Sequence, residues 1–180
     1  MRKVFLAACL MVSTFYVTAQ KIEGEFGPLA AVDVKSETFM FGGSLSLKAK
    51  LKGGESIGAG VSGFYQPKAE TLMLPVYADL RIPFATNVEL VLQPGYTIYE
   101  NSLVMTGVVA ETKGSFYAGG GITGYSPMKN GNRFFFQTKY NYFSFKSTVT
   151  NRINNRDYVT KTDGHAHVIS LGLGVTFGNK

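Results

Sequence analysis

The chain has 180 residues, one domain's worth, with 18 Lys and Arg against 12 Asp and Glu and a single cysteine, Cys9. Its charges are dispersed, with no run of five like signs, so neither a nucleic-acid patch nor a polybasic anchor is implied. A lone cysteine also excludes a disulfide framework within the chain, so stability must come from strand pairing and packing or from a membrane.

The first segment, MRKVFLAACLMVSTFYVTAQ, joins a basic start (Arg2, Lys3) to an apolar stretch from Val4 to about Val17, followed by small residues before Gln20. That pattern predicts a cleaved secretory signal peptide over residues 1–19 and a mature domain over 20–180. Leu6-Ala7-Ala8-Cys9 superficially matches a lipoprotein box, but too few residues precede it for a basic plus an apolar region. The apolar stretch is also shorter than the ~20 residues of a spanning helix. Without residues 1–19 the chain keeps 16 basic against 12 acidic residues, a mild excess.

From there to the end the hydrophobic period is two, broken by turn residues, and no window shows sustained helical periodicity. Eight strands are predicted, at about 21–34, 39–51, 55–66, 71–83, 87–99, 113–125, 133–146 and 167–177. In FMFGGSLSLKAKL (39–51), Phe39, Phe41, Leu45, Leu47 and Leu51 share one row with Gly43 and Ala49, and Met40, Ser44, Ser46, Lys48 and Lys50 share the other with Gly42. The fourth strand sets Leu72, Leu74, Val76, Ala78, Leu80 and Ile82 against Thr71, Met73, Pro75, Tyr77, Asp79 and Arg81. The last sets Ile169, Leu171, Leu173, Val175 and Phe177 against Val168, Ser170, Gly172, Gly174 and Thr176.

Alternation alone fits a soluble sandwich as well as a barrel. Three features favour the barrel. The polar rows are rich in Gly and Ser, which suit a crowded narrow interior better than a solvated face. Connections 35–38, 67–70, 100–112 and 147–166 fall on one end and the short 52–54, 84–86 and 126–132 on the other, as in outer-membrane barrels. The strand lengths fit a tilted span of about 9–11 residues with some overhang. The expectation is an all-β chain, an eight-stranded antiparallel up-and-down transmembrane β-barrel with both termini periplasmic, closed because lipid cannot satisfy open backbone edges. Lys48, Lys50, Asp79, Arg81, Glu89, Lys139 and one or both of Glu23 and Glu25 then point into the lumen, where charges are tolerable only if paired.

The last strand ends Ser170, Gly172, Val175, Phe177 in alternating register, which resembles the assembly signal of outer-membrane barrels, although Gly178-Asn179-Lys180 follow. With LMLPVYADLRI (72–82) and the Ala19-Gln20 junction, the chain resembles the small outer-membrane β-barrel family of the OmpA and OmpX type and the barrel-domain proteins of Bacteroidota. The resemblance implies a fold and an outer-membrane location reached by export. It implies as partners the lipid bilayer and lipopolysaccharide, and the barrel-assembly machinery and periplasmic chaperones during biogenesis. It carries over no functional residue.

Residues that could carry chemistry are few. His165 and His167, an H-x-H on one strand face, are half of a metal site with only Asp163 nearby, and a solvated loop rim is the plainer reading. Ser170 falls on the face opposite His167, so a rim triad needs a serine from another strand. Gly119-Gly120-Gly121 and Gly58-Ala59-Gly60 lie inside strands with no Lys-Ser or Lys-Thr after them, and read as relief of crowding. Aromatics on the apolar rows, such as Phe41, Tyr96, Phe116, Tyr140 and Phe177, read as interfacial girdles. The loop 147–166 is polar and basic, with Arg152, Arg156 and Lys161 as candidate binding groups. No catalytic set, cofactor or metal is expected. The expected role is that of a non-enzymatic barrel anchoring exposed loops for surface interaction or envelope integrity. A narrow pore or secretion-system component, a rim-located lipid-modifying enzyme and a soluble periplasmic ligand-binding barrel are the alternatives.

Overall fold

In the computed structural model the described residues are 21–105, 108–129, 131–153 and 156–178, with backbone alone for 103–105, 152, 153, 156 and 157. The signal peptide expected over 1–19 lies outside them. Among the described residues, nine strand segments make one antiparallel sheet: β1 Lys21–Asp33, β2 Thr38–Lys50, β3 Ser56–Gln66, β4 Thr71–Ala85, β5 Val88–Ile98, β6 Glu100–Met105, β7 Val108–Pro127, β8 Arg133–Ile153 and β9 Arg156–Gly178. Their order is β5-β4-β3-β2-β1-β9-β8-β7-β6, and β5 pairs with β7 as well, which closes the sheet into a ring. β5 and β6 are one stave interrupted at Tyr99. Both pair with β7, and the Gly114 amide donates to the Tyr99 carbonyl oxygen at 2.8 Å across the break. The chain is therefore an eight-stave, up-and-down antiparallel barrel.

The turns follow the local sequence. The β2–β3 turn closes with Leu51 donating to the Glu55 carbonyl oxygen and Gly54 in the left-handed region at φ 94°. A single 3₁₀ turn, Pro67–Ala69, joins β3 to β4. This β3–β4 turn and the β1–β2 turn sit at one end, called here the hairpin end. The β2–β3, β4–β5 and β7–β8 turns sit at the other, the turn end, together with Lys21 and Gly178.

Two expected loops are strands instead. Residues 100–105 belong to β6 and 108–112 to the start of β7, paired from Glu100↔Lys113 to Met105↔Val108. Most of 147–166 extends β8 and β9, paired from Ser147↔Thr162 to Ile153↔Arg156. Segments 113–125, 133–146 and 167–177 thus lengthen to Val108–Pro127, Arg133–Ile153 and Arg156–Gly178. The reason is compositional. STVT and YVTKT are polar but rich in β-branched residues, which fit a pleated surface whether or not a core lies behind it. The result is a sheet of β6, β7, β8 and β9 projecting beyond the ring.

The hydrophobic rows face outward. In β2, Met40, Ser46 and Lys48 are buried while Phe39, Phe41, Leu45 and Leu47 are 46–59 % exposed. In β9, Val168, Ser170 and Thr176 are buried while Ile169, Leu171 and Leu173 are exposed. The lysines of residues 39–51 turn inward, Lys50 only half-buried at the turn end.

Glycines on the inward rows make room for large side chains. A Cβ on Gly60 would lie 2.7 Å from the Tyr77 ring and 2.9 Å from the Leu45 carbonyl oxygen, whereas one on Gly124 would meet nothing within 4 Å. Opposite signs are expected. Gly60→Ala should destabilise by about 1–3 kcal/mol through overpacking, and Gly124→Ala should stabilise by roughly 0.5 kcal/mol through lost chain entropy. Urea titration of the folded protein, read by tyrosine fluorescence, checks both.

Candidate functional site

The lumen is filled in layers. Nearest the turn end, Arg133 donates to Glu23 at 2.7 Å and lays its guanidinium over the Tyr125 ring, 4.0 Å from the centroid. Next comes a charged hub. Lys48 Nζ donates to Glu25 Oε1 at 2.7 Å, and Arg81 Nη2 donates to Glu25 Oε2 at 2.8 Å. Arg81 also grips Asp79 with Nε at 2.8 Å and Nη2 at 2.9 Å, the two-pronged geometry that suits a planar guanidinium. Glu89 lies 3.6 Å from Lys48. The Tyr125 hydroxyl, 2.8 Å from both Glu25 Oε1 and Glu89 Oε2, has one proton to give and so donates to one carboxylate at a time, while accepting from Lys48 at 2.8 Å. Contributions from β1, β2, β4, β5 and β7 tie staves across the lumen.

Four buried carboxylates, Glu23, Glu25, Asp79 and Glu89, meet four cations, Lys48, Arg81, Lys139 and the half-buried Arg133. Lys139 departs from the expectation of an ion pair. It donates to Gln93 Oε1 at 2.9 Å and lies 5.7 Å from the Tyr77 ring centroid, and Gln93 in turn donates to Asp79 at 3.2 Å. Its charge is met by an amide and a π face and reaches a carboxylate only through Gln93. Lys50 makes no ion pair among the described residues. Arg133, Tyr125, Gln93 and Thr123 were not singled out from sequence, though each sits on an inward row once register is known.

Above the charges, Tyr117 donates to Asn141 Oδ1 at 2.8 Å, Asn141 Nδ2 donates to Ser170 Oγ at 2.8 Å, and the Tyr77 and Ser62 hydroxyls are 3.0 Å apart. Then an apolar layer follows, with Phe64 and Phe143 edge to face at 5.3 Å, and Met40, Met73, Leu29, Ala31 and Val168 around them. Phe64, Tyr117, Phe143 and Val168 are fully buried.

Over this floor, at the hairpin end, opens a vestibule of about 300 Å³. Met40 and Met73 form its base, Tyr99 and Phe145 a wall, and Gln66, Thr71 and Asp33 part of its rim. Tyr99 meets Phe145 edge to face at 5.2 Å, and the Thr112 and Ser147 hydroxyls opposite are 2.8 Å apart.

The histidines do not sit on a loop rim. Both belong to β9, in the outward row of Ile169 and Leu171. His167 Nδ1 is hydrogen-bonded to the Tyr140 hydroxyl and His165 Nδ1 to the Tyr142 hydroxyl at 2.6 Å. The Tyr142 ring lies 5.4 Å from each imidazole, and among the described residues no group of three ligand-type side chains could hold a metal. Ser170 faces the lumen and is engaged by Asn141, so it cannot serve His167. Gly172 is on the inward row, and Val175 and Phe177 are exposed at 36 % and 47 %. Lys161 is exposed on β9 opposite Thr148, and the side chains of Arg152 and Arg156 lie outside the described set. Arg81 holds the hub together. Arg81→Ala should cost about 3–5 kcal/mol, because Glu25 and Asp79 lose their counter-charge in a buried site. Arg81→Met with Glu25→Gln and Asp79→Asn should recover most of that loss, read by urea unfolding of each variant.

No family model matches the sequence, and no curated protein matches it either. Among solved structures, the chain is similar to outer membrane protein AlkL, determined by solid-state NMR in DMPC lipid bilayers, at 11 % identity and a TM-score of 0.53, over 91 % of this chain and 92 % of that one. It also aligns with the crystal structure of a major outer membrane protein from Thermus thermophilus, at 12 % identity and a TM-score of 0.48, over 87 % of this chain and 99 % of that one. At 11 % identity the likeness to AlkL is one of fold.

Proposed function

We propose that the chain is an integral outer-membrane β-barrel, reached through signal-peptide export, whose plugged lumen rigidly anchors the projecting β6–β7 and β8–β9 hairpins for surface interaction or envelope integrity. The observation that carries this is the inverted distribution of side chains. Charges and hydroxyls fill the inside, while Phe26, Phe41, Leu47, Leu92, Tyr96, Phe116, Leu171 and many other large apolar residues cover the outside. Water would penalise so continuous an apolar belt, and a bilayer core favours it. Its complement is a ring with every lateral edge paired, the form in which strands can cross lipid. AlkL, an outer membrane protein, shares the fold.

The barrel's role is non-enzymatic on this reading. Among the described residues the polar groups of the lumen are committed to one another except the buried Ser56 and Thr97 hydroxyls, and His167 and Ser170 face opposite sides of the wall. Phe64, Tyr117, Phe143, Asn141 and Thr97 across the lumen's section argue against solute passage. Partners would be the bilayer and lipopolysaccharide outside the staves. The assembly machinery and periplasmic chaperones would act on the strand ending Ser170, Gly172, Val175, Phe177, and Arg152, Arg156 and Lys161 on the long hairpin would meet a surface partner.

The protein should fractionate with the outer membrane, run at different mobility with and without boiling, and give negligible single-channel conductance. Recovery in the soluble periplasm without a heat shift would overturn the proposal. A sharper check is Leu92→Arg, on the outward face at mid-stave. In a bilayer it should cost about 2–4 kcal/mol, whereas on a water-exposed surface the same change would stay within roughly 0.5 kcal/mol.

A further inference from the structure

Resting on the barrel reading above, we infer that the mouth vestibule is a blind binding pocket for a small organic cation with an aromatic or short alkyl body. Its volume of about 300 Å³ is at the lower end of ligand pockets and roughly twice that of an engineered cavity that takes benzene. Room for one or two rings is therefore present.

The lining decides the chemistry. Met40 and Met73 give a polarisable base that adapts to the shape of an apolar body. Tyr99 and Phe145, packed edge to face, offer rings against which an alkylammonium or aryl group can rest. Asp33 is the sole carboxylate on the wall, and no Lys or Arg lines the vestibule among the described residues. His165, which also borders it, is hydrogen-bonded to the Tyr142 hydroxyl. The Asp33 oxygens accept from the Lys35 amide at 3.0 Å and the Ser36 hydroxyl at 2.7 Å, one bond each, which fixes the group and leaves acceptor capacity for a ligand. Lys35 and Lys68 on the two adjoining turns are offset by Glu37 and Glu70 on the same turns. An anion would meet Asp33 with no opposing charge on the wall among the described residues, and a cation would gain from it.

The pocket is blind because the layer beneath it is closed. Phe64, Phe143 and Val168 have no exposure, and Tyr77 and Tyr117 pack below them. A ligand enters from the hairpin end and stops at the methionines, as in a receptor and unlike a pore.

The test uses the full barrel in lipid nanodiscs with ¹³C-methyl methionine, assigned through Met→Leu variants, and three probes that share one ring: benzylammonium, benzyl alcohol and benzoate. The Met40 and Met73 methyl signals should shift saturably with benzylammonium, less with benzyl alcohol, and at least several-fold more weakly with benzoate. Asp33→Asn, which keeps the turn's acceptor atom, should reduce the preference for cation over anion by roughly three- to five-fold. Thr71→Tyr, on the rim and away from the plug, should abolish saturation. Equal, non-saturating shifts from all three probes would mean partitioning into lipid and would overturn the inference, as would tighter binding of benzoate. In either case dispersed methyl signals and a heat-modifiable band would leave the barrel reading standing, whereas loss of the heat shift in the unmodified protein would remove both.

Discussion

β9 has hydrogen-bonding neighbours on both sides along most of its ring portion, β8 on one edge and β1 on the other, and the same holds for each stave around the circle. That closed ladder is the constraint on which everything else depends. It holds each strand's roll about its own axis, so alternate residues must point to the lumen and the rest away from it. A slip of one residue in β2 would move Lys48 to the outer face and Leu47 to the inner. The charged hub and the ladder thus reinforce each other, because the hub links β1, β2, β4, β5 and β7 in one register.

The interior shows how a narrow barrel manages buried charge. Ion pairs alone leave lone pairs and protons unmet, and here Tyr125, Thr123, Thr176 and Gln93 take them up. Such a network contributes specificity more surely than net stability. It rejects other registers because a misplaced strand would strand a carboxylate without its cation. The gradient from charges at the turn end, through amides and phenols, to an apolar layer and then an open vestibule divides a single lumen into a sealed part and an accessible part. The hairpins above it lengthen the wall of the accessible part, with Thr112, Phe145 and Ser147 all contributed by the extended strands.

Much of this was legible beforehand. Period-two rows placed Lys48, Asp79, Arg81, Glu89 and Lys139 on the polar side, and short turns were expected at 52–54, 84–86 and 126–132; the second lies instead at 86–87, where Asn87 takes a left-handed φ of 62°. The length of β7, β8 and β9 was not legible, because STVTNRINNRDYVTKTD looks like a loop by polarity and like a strand only by β-branching. The histidines were misplaced for the same reason. Once β9 is extended, His165 and His167 fall on its outward row beside Tyr140 and Tyr142. Arg133 was hidden by its position at the edge of a turn, where sequence does not say whether a side chain turns in or out.

The amino-acid order by itself determined that the chain is all-β, how many staves it has, where most turns fall and which residues share a face, since these depend on local propensity and on a two-residue period. It could not determine which carboxylate meets which cation, that Lys139 rests on Gln93 and the Tyr77 ring, or that a vestibule lies above Met40 and Met73. Those relations join residues up to 151 positions apart, Thr176 with Glu25 being one. They exist only when closure of the ring brings distant staves to face each other across a lumen narrow enough for their side chains to touch.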